Sequence, residues 1–300
     1  MVRISVIIPA HNDRERLKLC LEALSQQTLQ ADEYEVIVVD NRSDPPLQDI
    51  VEQFSFCRYA SESKPGSYAA RNTGLKEARG EIFAFTDSDC IPAPDWLESG
   101  CKTLTELASN GCIGGKIELF AKNPEKPNAV ELYELIFGLN QQSNVEKHHF
   151  AATANMFTTR HTLETVGPFN TQLKSGGDLE WGRRVHSADR PIVYAANTVI
   201  RHPTRSNLKQ IRIQARRHAG GHFDLSLQKN RRFFTVHKCY VLWQSICPQF
   251  RKMYFSRKKL SELGYGYYAW LRVCGVISTI QYTRLFEYFR RLFGGKPETR

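Results

Sequence analysis

Six side chains in this 300-residue sequence stand where their type and spacing suit them to chemistry: Asp40, Asp87, Asp89, Asp178, Arg71 and His202. The sharpest case is "GEIFAFTDSDCIPAPDW", where an apolar run ends in Asp87 and Asp89, one residue apart. Residues two apart on an extended segment point to one side, and carboxylates so close repel each other. The fold gains nothing from the pair unless something positive lies between them. A divalent ion fits that need: Mg2+ or Mn2+ prefers oxygen donors and keeps substrate phosphates in its shell, so one or two protein carboxylates suffice. Hydrogen-bond donors on a ligand, or a turn with aspartate in its favoured positions, are the alternatives.

The other candidates share the same kind of position. Asp40 closes a second apolar run, "YEVIVVD", where it can accept hydrogen bonds from a base or a ribose, or serve an Asx turn in "DNRSDPP". Arg71 lies in the helical pattern "SYAARNTGLKEA" just after a Lys-Pro-Gly turn, and its planar fork suits phosphate oxygens. Asp178 comes after two glycines in "SGGDLEWGRR", placed to act as a general base on an acceptor hydroxyl or simply to cap the next helix. His202 ends the apolar run of "VIRHPTRS" and reads as a packed residue or as a metal or phosphate ligand.

Elements of a particular kind must hold these residues. Strand-like runs at 4–9, 34–40, 56–60 and 81–86 alternate with helical patterns at 13–27 and 67–80, the first with Asp13 as its N-cap and the second stopping at Gly80. Such alternation argues for a mostly parallel sheet with helices on both faces, an α/β fold whose ligands sit outside the carboxyl ends of the strands. "PAHND", "DNRSD" and "DSD" each come directly after a strand, so three polar clusters converge on one crevice. Further on, 128–142 reads as one helix, "FAATANMFTTR" as a strand and "RHTLETVGPFN" as a short helix.

Charge divides the chain. Residues 1–200 hold 20 Lys/Arg against 27 Asp/Glu, whereas residues 201–300 hold 21 against 4. The basic excess lies in the last third, as expected of a surface that faces phosphates. A boundary near 225 separates a sheet domain, 1–225, from a basic, aromatic helical extension, 226–300. In "TRLFEYFRRLF" the periodicity sets Leu285, Phe286, Phe289, Leu292 and Phe293 on one side and Arg284, Arg290 and Arg291 on the other, the pattern of an interfacial amphipathic helix. Residues 264–283 are long enough to tempt a membrane-spanning reading, but Arg272 near their centre argues for lying on the membrane or packing on the domain. The eight cysteines show no C-x-x-C pair and read as reduced thiols in a cytosolic chain. The first residues enter a strand pattern directly, without the look of a signal peptide.

Five stretches in order, "SVIIPAHND", "VIVVDNRSD", "PGSYAARNTGLKEARGEIFAFTDSDC", "TANMFTTRHTLETVGPFN" and "GGDLEWGRR", resemble glycosyltransferase family 2, the inverting nucleotide-sugar transferases of the GT-A fold. The resemblance covers residues 4 to about 203. It implies a Rossmann-like GT-A domain that moves a sugar from a nucleoside diphosphate sugar, by family habit a UDP-sugar, to a hydroxyl of a glycan or lipid-linked glycan. By the same resemblance, Pro9 to His11 and Asp40 form the base pocket, Arg71 lies beside the diphosphate and Asp87 contacts the ribose or the metal. Asp89 binds the metal and Asp178 is the catalytic base, while His202, read from its own position rather than from the resemblance, is a candidate second metal ligand. Asn155 and Glu180 stand on the acceptor side. Two positions depart from the family pattern: Ala10-His11 succeeds the first-strand proline where an aromatic is usual, and Gly177-Asp178 replaces an acidic pair.

The expected setting is cytoplasmic and peripheral on the inner face of the cell membrane, with an anionic leaflet as partner and no nucleic acid. Two readings compete. A sugar nucleotidyltransferase is expected to carry a glycine-rich, lysine-bearing loop that "PAHNDRERL" lacks. A non-catalytic nucleotide- or nucleic-acid-binding protein would use the aromatics and arginines of the tail for stacking and phosphate contacts.

Overall fold

The computed structural model describes residues 2–107, 110–227 and 249–295. Part of the helical extension, with Cys239 and Cys247, lies outside the described residues. In chain order the elements are β1 (Ile4–Ala10), α1 (Arg14–Leu24), β2 (Tyr34–Asp40), α2 (Gln48–Val51), β3 (Cys57–Ser61), α3 (Ser67–Glu77), β4 (Ile82–Thr86), β5 (Ile91–Pro92) and α4 (Trp96–Glu106). Next come β6 (Cys112–Phe120), α5 (Ala129–Phe137), α6 (Gln141–His148), β7 (Asn155–Thr159), α7 (Arg160–Val166), α8 (Gly177–Ser187) and β8 (Ile192–Pro203). Three helices close the described chain: α9 (Leu208–Leu227), α10 (Phe250–Glu262) and α11 (Tyr267–Leu292).

The strands form one sheet in the order β3-β2-β1-β4-β7-β6-β8-β5. The half built from β3, β2, β1 and β4 is parallel, as the alternation predicts. β7 runs antiparallel to both β4 and β6, so the second half is mixed. Successive residues of β1 face opposite sides of the sheet. Ile4, Val6 and Ile8 pack with α1 and α4, whereas Ile7 packs with Phe83, Phe85 and Trp181 on the other face. Helices cover both faces, which is why β1 and β2 read as unbroken apolar runs.

The predicted helix over 128–142 is two helices. α5 stops before Gly138, whose ψ of −151° takes the chain out of the helix. A side chain there would lie 2.4 Å from the Glu134 carbonyl oxygen and 2.5 Å from Leu119, so the position is kept to glycine and the chain restarts as α6. α3 ends at Glu77, three residues before Gly80. The composition boundary near 225 falls inside α9, whose Ile211 and Ala215 are already packed in a helical layer with Val130 and Leu132 of α5, Leu260 of α10 and Val273, Ile277 and Ile280 of α11. This layer caps the sheet's second half. Among the described residues no helix is long and apolar enough to cross a membrane.

Within that layer α11 takes an unexpected orientation. Tyr282 and Phe286 are 62% and 61% exposed, and Phe289 and Phe293 are exposed as well. The cations that would meet headgroups in a helix lying on a membrane point inward instead. Arg290 pairs with Glu287 and Arg291 with Asp224, while Arg284 lines the cavity described below.

Candidate active site

A cavity of about 770 Å³ opens at the carboxyl ends of β1 and β4 and is roofed by the helical layer. Of the residues singled out in the sequence it collects Pro9, His11, Arg71, Asp87, Asp89, Asp178 and His202. β1 delivers Pro9 and His11. β4 ends at Thr86 and hands the next residues to a turn closed by the Cys90 N–H on the Asp87 carbonyl (3.1 Å), which sets both carboxylates at the rim. The aspartates do not face each other undefended. Arg71 Nη2 donates to Asp87 Oδ1 at 2.5 Å, and Arg16 Nη1 donates to Asp89 Oδ2 at 3.2 Å. Each carboxylate has its own cation, so their repulsion is countered before any ion arrives.

Asp89 is the better placed for a metal. His202 Nδ1 lies 2.8 Å from the Pro203 carbonyl oxygen, which can only accept, so Nδ1 carries the proton and Nε2 is left as a lone-pair donor. That Nε2 stands 3.7 Å from Asp89 Oδ1. Cys90 Sγ belongs to the same close group. Burial pushes the Cys90 thiol far up, so it stays protonated and is a poor ligand. The remaining pair, one carboxylate oxygen and one imidazole nitrogen, suits a divalent ion that takes the rest of its shell from phosphate and water. Burial also pushes the Asp89 carboxyl up, against the pull of His202 and Arg16 and with the help of Asp87.

Asp178 sits on the first turn of α8. The Gly176–Gly177 step explains the missing second acid. Gly176 has φ 77°, the left-handed region that glycine tolerates best. A Cβ on Gly177 would lie 2.6 Å from the Tyr68 ring, so this chain has no room for a side chain there. Tyr68 in turn organises the loop. Its hydroxyl accepts from the Gly177 N–H (2.8 Å) and donates toward Asp178 Oδ1 (3.3 Å). Burial pushes the Asp178 carboxyl up from the usual aspartate range, opposed by Arg71, the Leu179 N–H and the Tyr68 hydroxyl. A carboxylate held near a cation yet raised by burial has the character of a general base.

Three sequence candidates take other roles. Asp40 is spent on its own loop: Oδ1 accepts from the Ser43 N–H (2.8 Å), and Oδ2 accepts from the Leu47 N–H (3.0 Å) and the Tyr59 hydroxyl (3.2 Å). It is the Asx-turn alternative that the structure realises, and Asp40 does not line the cavity. Asn155 is not an acceptor residue. Its fully buried amide donates to the carbonyls of Lys116 and Thr198 and accepts from Trp96 Nε1, each at 2.9 Å, tying together β6, β8 and α4. Glu180 is also withdrawn from the acceptor side. Both its oxygens hold Arg184 one turn on, whose guanidinium donates to the carbonyls of Val166, Gly167 and Pro168.

Other residues entered the site unannounced. Arg16 is held by Asp13 at 2.7 Å, so Asp13 serves that pair and makes no side-chain cap to α1. Tyr68 lies three residues before Arg71 on one face of α3, a spacing visible in the sequence. Arg205, Arg217, His218, His222 and Arg284 line the cavity from the helical side. Nothing local in the sequence marked them for the cavity, and Arg284 was read as part of a membrane-facing basic side, because α9 and α11 had first to be folded over the sheet.

Known proteins bear out this architecture. The family model described as glycosyl transferase family 2 matches residues 5–167. The chain is 36% identical over 207 residues to Glycosyltransferase AglE of Haloferax volcanii, covering 67% of each chain. It is 24% identical over 221 residues to a dolichyl N-acetyl-α-D-glucosaminyl phosphate 3-β-D-2,3-diacetamido-2,3-dideoxy-β-D-glucuronosyltransferase of Methanococcus voltae, covering 69% of this chain and 68% of the relative. Among solved structures, the mannosyltransferase PcManGT from Pyrobaculum calidifontis, in complex with GDP-Man and Mn2+, superposes with a TM-score of 0.65 at 16% identity, covering 98% of this chain and 88% of that one. S. aureus TarS 1-349 in complex with UDP gives 0.54 at 18% identity, with 95% and 92% covered. At those identities the likeness speaks for the fold, which is GT-A.

Proposed function

This chain belongs to glycosyltransferase family 2, and from that premise we propose that its cavity moves a sugar from a nucleoside diphosphate sugar to an acceptor hydroxyl with inversion at the anomeric carbon. Membership sets aside the nucleotidyltransferase and binding-protein readings. The observation that carries the proposal is the convergence on one cavity of a raised carboxylate, Asp178, with the Arg71–Asp87 pair and the Asp89–His202 pair.

In this reading Asp178 takes the proton of the acceptor hydroxyl, and one base suffices because the displacement is single. Tyr68 and the Leu179 N–H hold its carboxylate in place. Asp87, fixed by Arg71, contacts the ribose or the metal, and Arg71 brings positive charge to the diphosphate side. Pro9 and His11 line the base pocket; His11 Nδ1 is buried without a hydrogen-bond partner among the described residues and so is available to a base. Asp89 and His202 would hold Mg2+ or Mn2+, which when bound neutralises charge on the departing diphosphate. The donor proposed is a uridine diphosphate sugar and the acceptor a glycan or lipid-linked glycan. The outward aromatic stripe of α11 supports peripheral attachment to a membrane surface, which we place on the cytoplasmic side as part of the proposal.

A thermal-shift titration with a panel of nucleoside diphosphates, with and without Mn2+, tests the donor side in wild type and Asp89→Ala. One nucleotide stabilising only the wild type, and only with metal, identifies the base and the ligand. A shift of equal size in both proteins removes Asp89 from the metal site.

A further inference from the structure

The cavity has two walls of opposite sign. Acidic residues come from the sheet side, whereas Arg205, Arg217, His218, His222 and Arg284 come from the segments after β8. The last hundred residues contain four carboxylates, at 224, 262, 287 and 298. Asp224 holds Arg291, Glu262 holds Lys259 and Glu287 holds Arg290, while Glu298 lies outside the described residues. Glu134 of α5 is taken by Arg205, which it grips through both oxygens at 3.0 and 3.2 Å. Among the described residues no carboxylate is paired with Arg284, and its Nε is enclosed without a hydrogen-bond partner.

The groups around Arg284 do not relieve it. Desolvation, then Arg284, Arg217 and Arg205, push the His218 imidazole down to about 3, and because the residue is exposed the neighbouring guanidinium charges are the part of that push that stands. Burial and then Arg284 likewise push the Lys252 ammonium down. Positive charge this crowded and partly desolvated is costly unless an anion enters.

We propose that Arg284, with Arg205 and Arg217, forms a phosphate subsite for the acceptor, separate from the diphosphate position beside Arg71 and Asp89. The proposal rests on the glycosyltransferase reading and deepens it by naming the acceptor's class. A neutral sugar gives no reason to collect guanidinium groups, whereas their forks match phosphate oxygens. The same cavity points to a lipid as the carrier. Leu119, Tyr133, Phe137, Leu139 and Ile213 line it too, so a phosphate held at Arg284 shares its space with apolar surface for a hydrocarbon chain.

The test uses the full chain as wild type, Arg284→Gln and Arg284→Lys, with EDTA present. Farnesyl phosphate, farnesol and inorganic phosphate are titrated and followed by calorimetry. Farnesyl phosphate is expected to bind the wild type and to weaken by about 10- to 100-fold in Arg284→Gln, the scale of a charge-assisted contact. Arg284→Lys falls between, having the charge without the fork. Weaker binding of inorganic phosphate with the same dependence on Arg284 assigns part of the affinity to the lipid chain. Equal affinity assigns the subsite to phosphate alone. Unchanged binding in Arg284→Gln, absence of phosphate binding to the wild type, or farnesol binding as well as its phosphate overturns the proposal.

UDP with Mn2+ separates this proposal from the donor reading. Arg284→Gln should retain the nucleotide, and loss of it would give Arg284 to the donor and overturn the acceptor assignment. Asp89→Ala should lose the nucleotide but keep farnesyl phosphate. Nucleotide binding retained in Asp89→Ala removes Asp89 from the metal site and leaves the subsite standing, whereas no nucleotide binding to the wild type sinks the donor reading and leaves the subsite standing too. A Tm in Arg284→Gln that is unchanged or raised excludes a merely structural role.

Discussion

The two walls of the cavity differ in how completely their charges are met. On the sheet side every acid at the rim has a partner: Asp87 has Arg71, Asp89 has Arg16 and His202, and Asp178 has Tyr68 with Arg71 nearby. On the helical side Arg284 has none among the described residues. The paired wall holds its groups in fixed positions, which suits a reaction that many relatives share. On the helical wall Arg205 has Glu134, whereas Arg284 leaves a charge for the substrate to satisfy; like Asp178 and His202 of the paired wall, it lies beyond residues 5–167, the part that the family model matches. The contrast teaches that the shared chemistry and the proposed acceptor selection are built into different layers.

The largest blow to the paired wall is Asp178→Asn. Steady-state transfer should fall by about 10²- to 10⁴-fold, the usual contribution of a positioned base, while the donor dissociation constant holds. Equal turnover by the variant would remove Asp178 from the chemistry. Its stability should move the other way. The folded-state pKa of Asp178 is raised above the unfolded value, so the native state binds the proton more tightly. Wild-type stability is therefore lost as pH rises from the ordinary aspartate range through the raised value. The variant lacks this loss, so its advantage in Tm should appear above that window and vanish below it.

Arg71→Gln strips the cation from Asp87 and the opposing charge from Asp178 at once. Denaturant unfolding should register a loss of about 2–3 kcal/mol, below the full cost of breaking a buried pair because Asp87 is 34% exposed. The ascending limb of the pH–rate profile should shift to higher pH, since Arg71 is what holds the Asp178 carboxyl down. An unmoved limb would uncouple the two residues. Gly177→Ala drives a methyl into the Tyr68 ring and should cost about 1–2 kcal/mol of stability, with a larger loss of kcat than of donor affinity because Asp178 shifts with the loop.

The smallest expected effect concerns the outer face of the helical wall. Phe286→Ser with Phe289→Ser should weaken binding to phosphatidylserine vesicles by about tenfold and leave donor binding in solution alone. Full retention on vesicles would end the membrane assignment and turn the stripe toward another occupant.

Much of the paired wall was legible because it depends on strand ends. An apolar run that stops at Thr86 must expose the residues just beyond it, so Asp87 and Asp89 reach the rim whatever packs elsewhere. The Glu180–Arg184 pair was legible in principle too, being one helical turn apart. Asn155 and Asp40 were not. Whether a strand-end amide or carboxylate serves a ligand or its own backbone depends on which donors the neighbouring segments bring within 3 Å. For Asn155 those neighbours are 39 and 43 residues away.

By itself, then, the sequence determined the alternation of strands and helices, the acids at the strand ends and the concentration of basic charge in the last third, because periodicity and composition are local properties. Only the tertiary structure decided that α11 turns its aromatic face outward and its arginines inward. Both faces of that helix can be buried at some gain, one by apolar contact and the other by ion pairs. The choice was made by carboxylates on other elements, Asp224 of α9 among them, and by the apolar surface of α5 waiting beneath.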